Sequence, residues 1–269
     1  MIYIVAHKEF PLPRLDKSYV PIFVGGQIRN RAIELNALYD KKNGTFIADK
    51  NPNYCELTAL YWMWKNDHSS EYIGLNHYRR YFINTEGIII TKQEYDKILK
   101  EYDLIATTPI KFKDSVRINY FKTTGYVKDI QLMEKVIGKL YPEYSDTLKK
   151  FLDGHLMSYA NMFIMPQGLF QSYAKWLFDI LFEMEKYEDM TGYTIQEKRL
   201  YGYLGELLLN VWILKNGLKC KHLDICNIEN ESASACQVLK AKLILKLKNM
   251  VKYVLYFPSG IPYRRRKTL

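Results

Sequence analysis

Cysteine is scarce in this chain of 269 residues: Cys55, Cys220, Cys226 and Cys236, with no Cys-x-x-Cys pair among them. Cys220, His222 and Cys226 are close in sequence, but their spacing matches no common zinc site, so no metal is expected. Both nucleotide-binding glycine signatures, GxxxxGK[ST] and GxGxxG, are missing, which argues against a P-loop ATPase and a dinucleotide dehydrogenase. No uncharged apolar run approaches the about 20 residues of a membrane-spanning helix, and the N-terminus carries no basic-then-apolar leader. Unpaired thiols without an export signal lead us to expect a cytoplasmic protein.

Acidic residues are also missing from the end of the chain, where none follows Glu231. Residues 237–269 hold nine basic side chains, including Lys240, Lys246, Arg264, Arg265 and Arg266, and these account for nearly all of the formal net charge of +10. The preceding body is close to neutral, with 30 basic and 29 acidic residues. A nucleic-acid-binding body would spread cations over its face, so no nucleic-acid partner is expected. From Val238 to Leu255, apolar Leu239, Leu243, Leu247 and Val251 alternate with lysines. That pattern reads as an amphipathic helix with a cationic face, suited to an anionic membrane surface. The expected division is a catalytic or binding body over 1–232 and a basic membrane-associating tail over 233–269.

What is present is a globular composition, 48% hydrophobic and with 23 tyrosines, rich enough in apolar residues to build a core. Ile2–Ala6 is a short β-branched run that delivers His7 and Lys8 at its carboxyl end, as a nucleotide-binding α/β unit does. On spacing alone these two side chains are ordinary loop residues. Tyr19–Val24 is a second extended run, and residues 27–48 read as a loop excursion with an Asn43-Gly44 turn. Asn51-Pro52 opens a helix, and Leu57, Leu60, Tyr61 and Trp64 give it an apolar stripe. Tyr72–Leu75 reads as a buried strand. The loop expected after it carries Asn76, His77, Tyr78, Arg79, Arg80 and Tyr81. Guanidinium forks suit phosphate oxygens, although surface arginines paired with carboxylates fit the spacing equally well.

Further along, Thr91-Lys92-Gln93-Glu94 is a capping box opening a helix to about Tyr102, and Asp103–Thr107 is a strand. Residues 108–125 read as a polar loop, 127–140 and 143–152 as helices, and Ala160–Pro166 as an apolar strand entered through Asn161. Asp153, Gly154 and His155 form a polar cluster before that strand. An aromatic helix follows over 167–186. A last helix, Gln196–Leu214, carries Glu197, Arg199 and Glu206, with Arg199 and Glu206 on nearly one face.

The segments NPNYCELTALYWMWKN and YIGLNHYRRYF, with IYIVAHKEF, NMFIMP and QEKRLYGYLGELLLNVW, resemble a bacterial capsular and exopolysaccharide glycosyltransferase family over roughly residues 1–215. The resemblance implies a GT-A-like α/β fold, a mixed sheet flanked by helices. It implies transfer of a sugar from a nucleotide-diphosphate donor, a UDP-hexose with UDP-galactofuranose among the choices, to a lipid-linked or growing glycan. His7, Lys8, Asp49, Asn51, Asn76, His77, Arg79, Arg80 and Tyr81 are the expected donor-binding set. Asn161, Arg199 and Glu206 are expected on the acceptor side, and Asp153, His155 and Glu197 as catalytic acid or base. Most such enzymes hold a divalent metal through Asp-x-Asp, which occurs nowhere in this chain. The expectation is a metal-free diphosphate clamp at the inner face of the cell membrane, with no cofactor beyond the nucleotide sugar. A second reading, a non-catalytic membrane-associated scaffold that binds nucleotide sugars, makes His77, Arg79 and Arg80 structural.

Overall fold

The computed structural model describes residues 1–10, 12–25, 37–41 and 44–228. The basic amphipathic tail and most of the 27–48 excursion lie outside these described residues. In chain order the first elements are β1 (Ile2–Ala6), β2 (Tyr19–Phe23), β3 (Leu38–Tyr39), α1 (Asn51–Tyr54), α2 (Leu57–Asn66), β4 (Tyr72–His77), β5 (Arg80–Phe82), α3 (Lys92–Leu99) and β6 (Leu104–Thr107). Then come β7 (Ile110–Lys111), α4 (Val116–Thr123), α5 (Val127–Leu140), α6 (Ser145–Asp153), β8 (Leu156–Met157) and β9 (Phe163–Pro166). The last are α7 (Gln167–Glu185), α8 (Leu200–Lys215), β10 (Cys220–Leu223) and β11 (Ile225–Asn227).

A nine-stranded mixed sheet runs in the order β10-β6-β9-β4-β1-β2-β3, with β5 and β11 attached beside β4, and β7 and β8 form a separate two-stranded sheet. β1 pairs in parallel with β2 and β4, and β6 with β10. β9 runs against both of its neighbours, with Leu75 facing Phe163 and Ala106 also facing Phe163. The entrance to β9 therefore lies at the edge where β1, β4 and β6 end, the edge at which open α/β sheets bind ligands.

Strand periodicity divides the core into two layers. Tyr3, Val5, Ile73 and Leu75 pack under α2 and α5–α8, whereas Ile2, Ile4, Ala6 and Ile164 pack with Tyr95 and Leu99 of α3. Thr91 closes the expected capping box on Glu94. The sheet centre is tight at Gly74. A Cβ there would lie 3.0 Å from Ile2 Cγ1, 3.1 Å from Ile164 Cγ1 and 3.2 Å from the Phe163 carbonyl oxygen.

Four local expectations are corrected. The helix read from Asn51 onward breaks at Cys55, whose φ of 52° and ψ of −128° end α1 before α2 begins. The charged loop after Tyr72–Leu75 is instead a hairpin, because β4 runs on to His77 and pairs it with Arg80 of β5. Residues 108–125 contain α4, started by the Ser115 hydroxyl accepting the Ile118 N–H at 3.3 Å. The last helix begins at Leu200, after a 3-10 turn over Glu197–Arg199.

Gly74→Ala is expected to lower stability by about 1–2 kcal/mol, since the crowding at three neighbours outweighs the smaller entropic gain of losing a glycine. Urea unfolding should show a lower midpoint at unchanged m; an unchanged midpoint would mean the sheet centre relaxes freely.

Candidate functional site

The site is built where four chain segments meet at the carboxyl edge of the sheet: the α1–α2 hinge, the β4–β5 hairpin, the entrance to β9, and the start of α8. At the hinge, the Asn51 side-chain amide donates to the Cys55 carbonyl at 2.8 Å and to Thr58 Oγ1 at 3.1 Å. This holds the break open and leaves Glu56 at the N-terminus of α2, where the helix dipole favours a carboxylate. Glu56 is buried. Its Oε1 accepts the Asn161 side-chain amide at 2.6 Å, and the same amide donates to the Gly202 carbonyl at 3.0 Å.

Gly202 and Gly205, three apart on α8, make this approach feasible. A Cβ at Gly202 would lie 3.1 Å from Cys55 Cβ, and one at Gly205 would lie 3.2 Å from Asn161 Nδ2. Among the described residues, the non-glycine residues with positive φ are Cys55 (52°), Ala160 (74°) and Asn161 (49°), and all three belong to this junction. Such conformations cost roughly 1–3 kcal/mol each and persist where surrounding contacts over-determine them, often at functional sites.

The hairpin adds the cations. His77 and Arg80 are a cross-strand pair and so project to one face. His77 Nε2 lies 2.5 Å from the Ala160 carbonyl oxygen, which can only accept, so Nε2 is the protonated nitrogen. Burial, with the Arg80 and Arg199 charges, lowers the His77 pKa, and Glu56 opposes the shift. Arg199 reaches the junction from the 3-10 turn before α8, its Nε donating to Cys55 Sγ at 3.2 Å.

Glu206, about two turns beyond Arg199 on α8, closes the set. Its carboxyl is pushed up to about 7, first by burial and next by the charge of Glu56. Arg80, the Ala160 N–H and Arg199 pull the other way without restoring the usual carboxylate value. Two carboxylates, one of them titrating near neutrality, therefore share a site with a histidine and two guanidinium groups. That combination suits proton transfer beside a developing negative charge.

Of the residues expected from sequence, His77, Arg80, Asn161, Arg199 and Glu206 converge here. A second cluster forms beside it, at the ends of β1 and β4: the His7 ring meets the Tyr78 ring edge-on at 5.2 Å, and Arg79 stacks over the Tyr78 ring at 4.8 Å. Lys8 Nζ lies 5.9 Å from the same ring, and the Arg79 guanidinium also donates to the Tyr78 hydroxyl.

The remaining expected residues stand elsewhere. Asn76 and Tyr81 alternate with His77 and Arg80, so the strand period turns them to the opposite face. Tyr81 is fully buried with its hydroxyl on the Tyr78 carbonyl at 3.3 Å. Asn76 is also fully buried, and neither of its side-chain polar atoms has a hydrogen-bond partner among the described residues. Asp49 is exposed and paired with Lys41 at 3.1 Å, and Asn51 is engaged at the hinge.

Asp153 and His155 lie at the α4–α6 side. Asp153 is 3.5 Å from Arg117, and His155 Nδ1 is 3.0 Å from the Asp114 carbonyl. Glu197 is buried, accepting the Thr194 N–H at 2.8 Å and the Tyr126 hydroxyl at 3.2 Å. None of these three carboxyl or imidazole groups joins Glu56 and Glu206. Sequence reading missed Glu56 and Cys55. Both fall inside the single helix read from Asn51 onward, where nothing in their spacing marks them.

Glu206 binds its proton more tightly in the folded than in the unfolded chain. The stability it contributes is therefore complete below about pH 4.5, the ordinary value, and is lost as pH rises through about 7. Glu206→Gln should thus gain stability relative to the parent chain across that window, by on the order of 1–3 kcal/mol at pH 8, and little at pH 4.5. Thermal melts of both proteins at these two pH values check this; a gap independent of pH would mean that Glu206 titrates normally.

The bifunctional glycosyltransferase WbbM, solved in its apo form, superposes with a TM-score of 0.72 at 30% identity, covering 85% of this chain and 45% of that one. The chain thus spans less than half the length of WbbM, and the fold it shares with it is the GT-A-like mixed α/β sheet flanked by helices. No functionally curated protein matches the sequence. Residues 1–217 match the family described as a domain of unknown function, DUF4422, and the chain belongs to that family.

Proposed function

We propose that the chain is a glycosyltransferase in which Glu206 is the general base. The observation that carries this reading is the near-neutral carboxyl of Glu206 beside Glu56, His77, Arg80 and Arg199, at the ligand-binding edge of a fold shared with a glycosyltransferase. An acceptor hydroxyl passes its proton to Glu206 as its oxygen bonds to the anomeric carbon of the donor sugar. The bond from that carbon to the diphosphate oxygen breaks, and its electron pair leaves with the nucleoside diphosphate. Arg80 and Arg199 lie where they offset that new charge. His7, Lys8, Tyr78 and Arg79 form the adjoining cationic and aromatic surface for the nucleotide.

The donor we propose is a UDP-hexose, UDP-galactofuranose being one candidate, and the acceptor a lipid-linked or growing glycan of capsule, O-antigen or exopolysaccharide synthesis. Support for these finer assignments is the sequence resemblance set out above. A metal-free reaction is proposed on the same footing, with the guanidinium groups in the place that Asp-x-Asp and its cation take in related enzymes. So is a catalytic unit over 1–232, placed at the inner membrane face by Lys240, Lys246, Arg264, Arg265 and Arg266.

Donor turnover can be followed without an acceptor, as release of UDP from UDP-galactose or UDP-galactofuranose in EDTA. The rate should rise with pH through about 7, the Glu206 value, because the base works only when ionised. Glu206→Gln should cut turnover by roughly 10²- to 10⁴-fold while the donor-induced rise in melting temperature survives. Arg79→Ala should lose the melting shift. Turnover undiminished in Glu206→Gln would sink the assignment of the base, and a donor shift without turnover in the parent chain would favour the scaffold.

A further inference from the structure

The segment between α7 and α8, residues 186–199, has no regular structure except its closing 3-10 turn, yet it must deliver Arg199 to the site. What fixes it is a chain of side chains reaching back to the start of α5. Asp129 sits fully buried in the first turn of that helix. Its Oδ2 accepts the Tyr126 N–H at 2.7 Å and the Tyr120 hydroxyl at 3.0 Å, and its Oδ1 accepts the Tyr193 hydroxyl at 2.5 Å. Tyr193 stacks on Tyr126 at 4.4 Å. The Tyr126 hydroxyl then donates to Glu197, which also takes the Thr194 N–H. Lys128 donates to the Asp189 carbonyl, and Asn53 of α1 donates to the Lys198 carbonyl at 2.8 Å. Gly125 leaves room for this: a Cβ there would come within 2.3 Å of the Tyr120 hydroxyl and 2.5 Å of Asp129 Oδ2.

We infer that Asp129, Tyr126, Tyr193 and Glu197 form a positioning latch that holds the 186–199 segment in place and thereby seats Arg199 over Cys55, beside Glu56 and Glu206. The latch touches neither of those carboxylates. It acts through Arg199, whose charge offsets part of the burial and of the Glu56 repulsion that act on Glu206, together with Arg80 and the Ala160 N–H. Glu197, expected from sequence to handle a proton, thus serves as the last link of an anchor. The seating of Arg199 is a statement about geometry; its effect on turnover rests on the reading of Glu206 as base.

Two readouts keep those apart. Amide hydrogen exchange of the peptides over 186–199, read by mass spectrometry, reports the latch without any substrate, and the peptides over β10 are the internal control. Asp129→Asn and the milder Tyr193→Phe each remove a hydrogen bond involving a buried carboxylate, and should speed exchange over 186–199 roughly tenfold or more, with β10 unchanged. A rise in both segments, or in neither, overturns the latch, and Tyr193→Phe decides if Asp129→Asn does not fold. In the UDP-release assay, Tyr193→Phe should also move the rising pH limb to higher pH, since Glu206 loses the partner that holds it down. Faster exchange with an unmoved limb would make the network structural only. A parent enzyme with no such limb would defeat the Glu206 reading and leave the exchange result standing.

Discussion

The side-chain amide of Asn161 is the contact on which the site depends. One N–H group set reaches the Glu56 carboxylate at 2.6 Å and the Gly202 carbonyl at 3.0 Å, tying the α1–α2 hinge, the entrance to β9 and α8 at one buried point. Each partner is there for a separate reason. Glu56 is available because Cys55 breaks the helix, Asn161 because β9 runs opposite to its neighbours, and the Gly202 carbonyl because two glycines let α8 approach. Three residues in left-handed conformations are held by this junction, and a carboxylate buried without its amide would cost more than the bond itself is worth. The remaining acceptor of Asn161, Oδ1, is buried without a partner among the described residues, a further sign that packing here is subordinate to placing Glu56.

Around that point, the balance of charge is decided by desolvation. Two guanidinium groups and a backbone N–H face Glu206 and pull its carboxyl down. Burial and the neighbouring Glu56 act against them and prevail, leaving it near 7. The same burial lowers the proton affinity of His77, so the histidine stays a neutral donor to the Ala160 carbonyl and adds no further positive charge. Ala160 couples the two, its carbonyl taking the imidazole N–H and its own N–H meeting Glu206. A small shift of this one residue would alter both groups together.

The strands were legible in the sequence because β-branched runs such as Ile2–Ala6 and Leu104–Thr107 carry their own pattern, and the capping box at Thr91 fixed the start of α3. The site was legible in its parts: His77 and Arg80 drew attention as polar groups after a strand, Asn161 at the entrance to another, and Arg199 and Glu206 through the family resemblance. Their grouping was not, because it depends on the reversed β9 and on a hinge at a residue, Cys55, that local propensity places mid-helix. A hairpin with a two-residue turn at Tyr78-Arg79 was read as a loop because no glycine or asparagine marks it. Treating 76–81 as a loop also hid the alternation that sends Asn76 and Tyr81 away from His77 and Arg80. Glu56 was invisible for a related reason: its worth comes from being buried against another acid, which no spacing rule records.

In the proposed reaction the proton goes to Glu206 rather than to a carboxylate on the surface, and the same physics gives the reason. A base contributes most when its conjugate acid titrates near the working pH, since a weaker base is always ionised but accepts the proton poorly. Asp153 lies open to solvent, 3.5 Å from Arg117 and away from Glu56 and Glu206. Glu206 has the opposite environment: low solvation and a like charge beside it. The cations present at the site do not cancel this, yet they stand close enough to meet a leaving diphosphate. In the proposed reaction one arrangement therefore serves both ends of the transfer, raising the proton affinity of Glu206 while keeping positive charge in reserve for the leaving group.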